Sequence, residues 1–325
     1  MLDSKNPLRI GLGLAALGRP GYINLGHDED LGADKSIEGL QAHAWRVLDA
    51  AWGAGIRYFD AARSYGRAEA FLAGWLETRA IPRQEIFVAS KWGYRYTADW
   101  QVDAEAHEIK EHSLAHLQFQ FKESQALLGE QLNLYQIHSA TLDSGVLDNK
   151  PVLDELARLK AGGLGIGLSL SGPHQSDTLL RALEIQRDGG LLFSAVQATW
   201  NLLEPAAGEA LQSAHAAGLR VIVKETLANG RLTQRNQEED FQAKKDKLGV
   251  MARRKGVGID ALAIATVLAQ PWVDVVLSGA AREDHLGSNL EAADIKLNQD
   301  EIAEVLGLQE QPKEYWQKRS RLNWN

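Results

Sequence analysis

The chain has 325 residues, of which 45% are hydrophobic and 24% are charged, and this ordinary balance excludes a disordered or fibrous protein. The formal net charge of −8 argues against a general nucleic-acid-binding surface, and the absence of cysteine excludes disulfides, thiolate catalysis and cysteine-ligated metals. The first residues lack the basic-then-apolar order of a signal peptide, and no apolar run approaches the roughly 18 residues of a membrane span. A cytoplasmic protein with no membrane or nucleic-acid partner is therefore expected.

Strand-like and helix-like segments alternate along the chain. Short runs rich in β-branched and aliphatic residues occur at positions 10–17, 56–61, 86–90, 134–138, 165–170, 195–199, 220–224 and 273–277. Apolar residues recur three and four positions apart at 40–54, 68–76, 109–128, 152–160, 178–186, 208–217 and 259–269. This alternation predicts an α/β fold in which parallel strands are covered by helices, namely a (β/α)8 TIM barrel forming a single domain over residues 1–325.

Glycine near the end of three helix-like segments supports one continuous barrel. The sequences AGIR at 54–57, AGGL at 161–164 and AGLR at 217–220 place glycine just before the next strand, where it accepts the left-handed conformation that ends a helix. Loop-like stretches at 18–35, 92–105 and 229–240 follow predicted strands. They therefore belong to the C-terminal ends of the strands, where a barrel builds its active site.

A doubly wound sheet is the alternative architecture. Its dinucleotide site would carry G-x-G-x-x-G at the first strand-to-helix turn. The sequence GLGLAALG places its glycines at Gly11, Gly13 and Gly18, which is a different spacing, and a long loop follows in place of a helix. The sequence therefore argues against a Rossmann domain.

Ionisable residues stand at the ends of three successive predicted strands. Asp60 lies late in the second strand, Lys91 directly follows the third and His138 lies late in the fourth. Because neighbouring strands are about 4.8 Å apart, these ends can converge on one pocket, and Tyr65 follows on the loop after Asp60. The structural alternatives are a buried Asp60–Lys91 strut, a core histidine and a packed tyrosine.

Together these residues resemble the active-site pattern of the aldo-keto reductases. The resemblance rests on Asp60 with the following AARSYG, on Ser90–Lys91 and on QIHS at 136–139. It extends through VQATWN at 196–201, LANGRL at 227–232 and LSGAAREDHLGSNL at 277–290. It implies a barrel that binds a nicotinamide cofactor without a Rossmann fold and transfers a hydride between that cofactor and the carbonyl of an aldehyde or ketone.

The resemblance implies a role for each of the four residues. Tyr65 would be the general acid that protonates the substrate oxygen, although a free phenol, with a pKa of about 10, is a weak acid near neutrality. The Lys91 ammonium is expected to lower the pKa of Tyr65, and Asp60 is expected to keep Lys91 charged. His138 would hydrogen-bond the substrate oxygen and orient it.

Cofactor contacts are carried over from the same resemblance. The positions are Gly13, Ser169, Gln197, Lys224, Glu225, Thr226, Leu227, Gly279, Arg282, His285 and Asn289. Ser169 and Gln197 match positions that bind the nicotinamide carboxamide, and Asn289 matches a contact to adenine. The loop at 225–229 matches a segment that closes on the pyrophosphate.

The sequence departs from the family pattern in three places. Leu170 stands where many relatives carry asparagine, and Lys224 stands where an aromatic ring commonly stacks on nicotinamide, for which Trp200 is a candidate substitute. Gly279 stands among the positions that often bind a 2′-phosphate, a role that Arg282 could fill. NADP(H) is the favoured cofactor and NAD(H) is the alternative.

Walls for a small carbonyl or alcohol substrate are expected at Trp92, Tyr94 and the loop at 18–35, with ordinary loop packing as the alternative.

The segment at 311–325 is expected to cover the barrel mouth, to pack on helices or to pair with a second subunit, in a monomer or homo-oligomer. His112 and His116 have the spacing of one helical turn, but we expect packing or solvation there and no metal.

Two other functions are compatible with the sequence. One is a nicotinamide-binding regulatory or sensor subunit with weak catalysis, which the departures at Leu170 and Lys224 keep open. The other is a barrel lyase or aldolase that uses Lys91 or Lys224 as a Schiff-base amine. Pairing with Asp60 would leave Lys91 charged and non-nucleophilic, which argues against the second.

Overall fold

The computed structural model of the protein describes residues 8–325. The first seven residues, part of the segment in which no signal peptide is expected, lie outside this range. Within it, eight parallel strands close into a barrel. The strands are β1 (Ile10–Gly13), β2 (Tyr58–Asp60), β3 (Phe87–Trp92), β4 (Leu132–Ala140), β5 (Gly165–Leu170), β6 (Ala195–Thr199), β7 (Arg220–Lys224) and β8 (Val275–Ser278).

Each strand pairs with its neighbours in sequence, and β8 closes the ring on β1. The predicted (β/α)8 barrel in a single domain is therefore confirmed. Strands β5, β6 and β7 have the predicted bounds. Strand β1 ends earlier than expected because the chain turns there, and the N–H groups of Leu17 and Gly18 both donate to the Leu14 carbonyl at 3.1 Å.

Helices cover the barrel and extend beyond the predicted set. They are α1 (His27–Leu31), α2 (Ile37–Gly53), α3 (Ala68–Thr78), α4 (Leu114–Leu128), α5 (Lys150–Ala161), α6 (Gln175–Leu183), α7 (Gly208–Ala216), α8 (Gln242–Lys255), α9 (Ile259–Leu268), α10 (Glu283–Leu290), α11 (Gln299–Leu306) and α12 (Pro312–Ser320). The apolar pattern predicts neither α1, α8 nor α10–α12, because those segments are short or crowded with charged residues. Three-residue and four-residue 3₁₀ turns lie between several of these elements, including one at Ala228–Gly230 in the loop after β7.

Helix α4 begins later than the predicted position 109. Ser113 caps it, since the Ser113 hydroxyl accepts a hydrogen bond from the backbone N–H of His116 at 3.1 Å. The preceding residues Glu108–Lys110 pair with Tyr94–Tyr96 in an antiparallel hairpin above the barrel. A second hairpin joins Gln186–Arg187 to Gly190–Leu191.

The glycines expected to end helices do so. Gly55, Gly163 and Gly218 have φ angles of 94°, 95° and 90°, a region that side chains with a Cβ rarely adopt. Each lets the chain leave a helix and enter the next strand within a few residues.

The inside of the barrel is layered by the two-residue period of the strands. One layer is apolar and contains Tyr58, Ala89, Leu134, Ala195 and Ile222, together with Val275 and Leu277. Two residues further along five of these strands come the polar side chains of Asp60, Lys91, Gln136, Gln197 and Lys224. The strands therefore turn from apolar to polar at their C-terminal ends, where the site described below lies.

No helix in residues 8–325 combines the length and the hydrophobicity needed to cross a membrane. The helices instead pack on the outside of the strands around a continuous apolar core. A second apolar cluster joins α8, α9 and α12 and includes Phe241, Leu262, Tyr315 and Trp316.

Candidate active site

A cavity of 580 Å³ opens at the C-terminal ends of the strands. Its walls come from the loop after β1, from the loops after β7 and β8 and from the end of the chain. A cavity of this size is typical of sites for small molecules and cofactors.

A buried ion pair lies under the cavity. The Lys91 ammonium donates to the Asp60 carboxylate and to the Ala61 carbonyl, the latter at 3.0 Å. Asp60 also accepts hydrogen bonds from the side-chain amides of Gln136, at 3.3 Å, and Gln197, at 3.0 Å. Lys91 is fully buried and Asp60 is 2% exposed, so the pair is desolvated and held by hydrogen bonds from several strands.

Tyr65 and His138 meet at the cavity wall. The Tyr65 hydroxyl lies 3.4 Å from Nε2 of His138, and the Lys91 nitrogen lies 4.9 Å from the centre of the Tyr65 ring. On the other side of the imidazole, the Ser64 hydroxyl is 3.3 Å from Nδ1. Ser64 directly precedes Tyr65, but nothing in the sequence pattern distinguished it from an ordinary loop serine. One ligand oxygen could contact both Tyr65 and His138.

The glycine that follows Tyr65 has a steric explanation. Gly66 has a φ of 59°, and a Cβ there would lie 2.5 Å from the Gly18 carbonyl oxygen. Conversely, a Cβ on Gly18 would lie 2.2 Å from the Tyr65 carbonyl oxygen. The loops after β1 and β2 therefore approach each other as only glycine allows, and this contact holds the Tyr65 backbone.

Burial governs the ionisation of both side chains. Burial, followed by the charges of Lys91 and Lys224, holds the pKa of His138 well below its usual value, so the imidazole is neutral near pH 7. Burial, followed by the charge of Asp60, raises the pKa of Tyr65 well above 10. The expectation of a lowered pKa for Tyr65 is therefore wrong, because burial is the largest influence on the phenol and the charge of Asp60 acts in the same direction. The phenol stays protonated.

Most positions assigned to a cofactor line the cavity. They are Gly13, Gln197, Lys224, Glu225, Thr226, Leu227, Gly279, His285 and Asn289. Ser169 does not line it: its hydroxyl is buried and accepts a hydrogen bond from the Ser139 N–H at 2.8 Å. Arg282 does not line it either, because its guanidinium turns outward to Asp284 at 2.9 Å.

Arg235, which the sequence analysis did not single out, is a cation of the cavity wall. It binds the two carboxylate oxygens of Asp30 at 2.8 and 2.5 Å, and it lies 3.4 Å from Nε2 of His285. Asp30 and Arg235 are 205 positions apart in sequence, so no local signal could have paired them.

Lys224 extends from the end of β7 into the cavity. Its ammonium donates to the Thr199 hydroxyl at 3.0 Å and lies 3.8 Å from the Glu225 carboxylate. Burial lowers the pKa of Lys224 to about 8. Trp200 does not supply the aromatic surface suggested for this position, because it is buried outside the barrel against Trp272.

Of the two expected substrate contacts, Tyr94 lines the cavity and Trp92 does not. The Tyr94 ring packs edge-on against His138 at 5.0 Å. Side chains alternate along β3, so Lys91 points into the barrel and Trp92 points out, where it packs against His112. The assignment of Trp92 to substrate binding is therefore wrong, and strand alternation was the signal that could have corrected it.

His112 and His116 do not lie one helical turn apart, because His112 precedes the first residue of α4. His112 donates from Nε2 to the His138 carbonyl at 3.0 Å and so supports the backbone of the site. Within residues 8–325, no group of three or more His, Asp or Glu side chains is arranged to hold a metal ion.

Arg19 and Trp324 form the outer wall. Arg19 is buried and donates to the Ser64 carbonyl at 2.9 Å and to Glu108 at 2.6 Å. Its guanidinium lies 5.3 Å from the centre of the Tyr65 ring and 4.7 Å from that of Trp324. The other face of Trp324 stacks on His107 at 3.8 Å.

The end of the chain crosses the cavity mouth. We call residues 319–325 the C-terminal strap; its members Arg319, Ser320, Leu322 and Trp324 line the cavity. The backbone of Asn325 pairs in both directions with Tyr22, at 3.1 and 3.2 Å. Before the strap, Tyr315 and Trp316 pack in the second apolar cluster. The segment therefore both packs on helices and covers the mouth.

Several residues at or next to the cavity wall have left-handed backbone conformations. Ser139, Glu225, Ala228 and Asn229 have φ angles of 52°, 55°, 48° and 56°, although none is glycine. Such conformations are costly and are often retained where a site requires them.

The lining suits an elongated polar ligand such as a nicotinamide cofactor. Gln197 and Asn289 both contribute side-chain amides to the lining, and both are almost fully buried. The Asn229 side-chain oxygen, also at the wall, is buried without a hydrogen-bond partner in the described chain. A bound cofactor could supply the missing partner of the Asn229 oxygen.

Known proteins with the same fold and related sequences support this architecture. An aldo-keto reductase from Bacillus halodurans in its holo form superposes with a TM-score of 0.68 at 22% identity, covering 93% of this chain and 92% of that one. The glycerol dehydrogenase of Gluconobacter oxydans superposes with a TM-score of 0.69 at 22% identity, covering 92% and 90% of the two chains. At these identities the superpositions establish the fold alone.

Sequence comparison reaches further. A D-threo-aldose 1-dehydrogenase from a Pseudomonas species is 27% identical over 285 residues, which cover 78% of this chain and 84% of that protein. The model of the aldo/keto reductase family matches residues 9–310. The resemblance seen in the sequence is thus confirmed over nearly the whole chain, and the protein belongs to the aldo/keto reductase family of oxidoreductases.

Proposed function

We propose that this protein transfers a hydride between NAD(P)(H) and the carbonyl of an aldehyde or ketone, with Tyr65 as the general acid. The observation that carries the proposal is the approach of the Tyr65 hydroxyl to Nε2 of His138, at 3.4 Å, above the buried Asp60–Lys91 pair. Carbonyl reduction needs hydrogen-bond and proton donors that converge on the position of the substrate oxygen, and Tyr65 and His138 are arranged in this way beside the cavity.

The cofactor would supply the hydride, and the protein side chains would handle the oxygen. As hydride reaches the carbonyl carbon, negative charge develops on the oxygen. Neutral His138, with Ser64 donating to Nδ1, would carry its proton on Nε2 and hold that oxygen by a hydrogen bond. Tyr65 would then give up its proton. An alkoxide is a much stronger base than a phenolate, so this transfer is favourable even though burial raises the pKa of Tyr65.

Lys91 would act on the phenolate that proton transfer leaves on Tyr65. Its ammonium lies 4.9 Å from the centre of the Tyr65 ring, close enough to stabilise the phenolate left after proton transfer. Asp60, held by two glutamine amides, would keep the ammonium charged and in place. The Asp60–Lys91 pair would therefore contribute to catalysis at the moment when Tyr65 loses its proton.

NADP(H) is the proposed cofactor, with NAD(H) as the alternative. The family resemblance puts a 2′-phosphate near Gly279 and His285, where the nearby cation is Arg235 and not the outward-facing Arg282. Asp30 already binds Arg235, and because a carboxylate there favours a ribose hydroxyl over a phosphate, this ion pair is the observation that keeps NAD(H) as the alternative. Gln197, Asn289 and the loop at 225–229 are the proposed contacts to the rest of the cofactor.

The proposed substrate is a small aldehyde or ketone, or the corresponding alcohol. One relative is named as a dehydrogenase of aldoses and another, from Aspergillus flavus, as a norsolorinic acid reductase. The wall formed by Tyr94, Trp324 and the Arg19–Glu108 pair offers both ring faces and charged hydrogen-bonding groups. This favours carbonyl compounds that also carry hydroxyl groups.

The two alternative functions are less well supported by the site. For the Schiff-base alternative, Lys224 lines the cavity, but its ammonium donates to Thr199 at 3.0 Å and lies 3.8 Å from the Glu225 carboxylate. The nitrogen of Lys91 is engaged by Asp60 and by the Ala61 carbonyl, which opposes its use as a Schiff-base amine. Contacts link Asp60 to Lys91, Lys91 to the Tyr65 ring and the Tyr65 hydroxyl to His138. This continuous set favours a catalyst over a sensor that only binds a cofactor.

A titration of tryptophan fluorescence with NADPH and then NADH tests the proposal, followed by a panel of carbonyl compounds assayed for cofactor oxidation. Binding of at least one cofactor together with turnover of at least one carbonyl is expected. Folded protein that binds neither cofactor would require the proposal to be withdrawn. Binding without turnover of any carbonyl would favour the regulatory alternative.

A further inference from the structure

The last helix is anchored directly to the residue that follows β7. Arg319, in the final turn of α12, donates from Nε to both carboxylate oxygens of Glu225 at 3.0 Å. Glu225 is 8% exposed and lies 94 positions earlier in sequence. Its φ of 55° turns the chain sharply out of the strand. The C-terminal strap therefore begins at an ion pair inside the cavity wall.

A second contact fixes the backbone at the same point. The side-chain amide of Asn201 donates to the Glu225 carbonyl at 2.9 Å and to the Tyr315 hydroxyl at 3.0 Å. Tyr315 lies on α12 and packs in the second apolar cluster. Helix α12 thus contacts Glu225 in two ways. Arg319 binds the Glu225 carboxylate directly, and Tyr315 is linked to the Glu225 backbone carbonyl through Asn201.

Glu225 in turn holds the neighbouring strand ends. The Thr199 hydroxyl donates to Glu225 at 3.0 Å and accepts from the Lys224 ammonium at 3.0 Å. Four side chains therefore form one chain of contacts, from Arg319 through Glu225 and Thr199 to Lys224. Arg319, Glu225 and Lys224 all line the cavity.

The charges around Lys224 come from several elements. Glu225 faces it from the adjoining loop and Arg319 from α12. Asp60 on β2, Lys91 on β3 and His138 on β4 face it from across the barrel. Glu225 and Asp60 favour the ammonium form of Lys224, whereas Arg319 and Lys91 oppose it. The ionisation of Lys224 is consequently a balance in which the last helix takes part.

We propose that Arg319 is a positioning residue of the proposed reductase site, which through Glu225 and Thr199 holds the Lys224 ammonium in the cavity wall to bind the anionic nicotinamide cofactor. The inference rests on the proposed function, because it requires that cofactor in the cavity. The last helix then belongs to the cofactor site, although it follows the eighth strand and contributes nothing to the barrel.

The influence of Arg319 and Glu225 on the ionisation of Lys224 can be measured without any ligand. Lysine side chains labelled with ¹³C at Cε report their protonation by NMR, and Lys224→Met identifies the resonance of Lys224. Burial lowers the pKa of Lys224 to about 8, so its resonance should titrate near that pH. Arg319→Gln removes an opposing charge and frees Glu225, so the midpoint should rise. Glu225→Gln removes a favouring charge, so the midpoint should fall.

Two further variants separate coupling from structural damage. Arg319→Lys keeps the charge and should leave the midpoint closer to wild type than Arg319→Gln does. Lys318→Gln is the matched control, since Lys318 precedes Arg319 on the same helix but pairs with Asp240 at 2.7 Å. It should not move the midpoint. If Arg319→Gln does not fold, Glu225→Gln still tests the direction. An unmoved midpoint in either of these two variants would overturn the inference.

Cofactor affinity is the second measurement. The affinity for NADPH or NADH, measured by fluorescence from pH 6 to 10, should weaken as Lys224 loses its proton, and the inflection should follow the NMR midpoint in each variant. At pH 7, Lys224→Met should weaken binding about tenfold, the effect expected of one lost charge-assisted hydrogen bond. Normal binding by Lys224→Met with no pH inflection would overturn the inference and leave the proposed function intact. Failure of the wild type to bind either cofactor, with the NMR shifts as expected, would refute the proposed function and the cofactor role of Arg319 together, while the charge coupling itself would stand.

Discussion

Tyr65 and His138 lie on different elements, a loop after β2 and the end of β4, yet the Tyr65 hydroxyl is 3.4 Å from Nε2 of His138. Both side chains border the same cavity, and the Asp60–Lys91 ion pair lies beneath them. The relationship allows one substrate oxygen to receive a hydrogen bond and a proton from two groups that cannot themselves move far.

Tyr65→Phe should abolish most turnover and leave cofactor binding unchanged. The variant removes the proton donor but keeps the ring that packs against His138. We expect kcat to fall by roughly 10²–10⁴-fold, the usual contribution of a general acid. The check is steady-state turnover beside fluorescence titration with the cofactor. Wild-type turnover in this variant would rule out the assigned mechanism.

Lys91→Met should lose both activity and stability, because it leaves Asp60 as an uncompensated buried charge. Removing one partner of a buried ion pair costs about 3–5 kcal/mol of unfolding free energy. The double variant Asp60→Asn with Lys91→Met should recover much of that stability without recovering turnover. Denaturant unfolding and activity, measured on the single and double variants, distinguish a catalytic pair from a structural strut. Full activity in the double variant would show that the pair is only a strut.

Asp30→Asn should increase the preference for NADPH over NADH. The carboxylate of Asp30 binds Arg235, so its removal frees the guanidinium for a 2′-phosphate and removes a repelling charge. We expect the ratio of the two affinities to change by about tenfold or more, as for one charge-assisted contact. Asp28→Asn is the matched control, because Asp28 lies on the same helix but is exposed and pairs with Lys35. An equal effect of both variants would mean that general charge, and not Arg235, decides the preference.

Trp324→Ala should raise KM for the carbonyl substrate more than it changes the affinity for cofactor. The indole lies between Arg19 and His107 over the mouth of the cavity. Its loss removes part of the cavity wall, and we expect kcat/KM to fall by about tenfold. Initial rates at saturating cofactor provide the measurement. A fall in cofactor affinity with an unchanged KM would instead assign Trp324 to the cofactor side of the cavity.

Glu204 should make stability depend on pH between about 4.5 and 7. Burial, followed by the charge of Glu310, raises the pKa of Glu204 from 4.5 to about 7. Because folding raises the pKa of Glu204, the contribution of its protonated carboxyl to the free energy of unfolding is fully present below pH 4.5. That contribution is lost as pH rises through 7, where the buried carboxyl must ionise. Glu204→Gln should therefore stabilise the protein by on the order of 2 kcal/mol at pH 8 relative to pH 5. Denaturant unfolding at the two pH values is the measurement, and equal effects at both would contradict the expectation.

The spacing of apolar residues along the chain predicted the barrel well. Each strand and helix turns one face to a common core, so its apolar residues recur at regular intervals. The bounds of β5, β6 and β7 follow the pattern closely, since those strands are bounded by glycine-marked turns or polar loops. The polar side chains at the strand ends were also visible in advance. The expected contact at Trp92 was wrong because its neighbour Lys91 points into the barrel, and the two-residue period of a strand directs Trp92 to the outside.

The sequence by itself determined the architecture, the family and the four side chains proposed for catalysis, because period, turn chemistry and strand-end polarity are local properties of a chain. Only the tertiary structure decided which distant groups share the cavity. It brought Arg235 to Asp30, Arg319 to Glu225 and Trp324 to Arg19. It also reversed the expected pKa shift of Tyr65. Contacts and burial of this kind depend on how elements far apart in sequence pack together, and no local pattern encodes that packing.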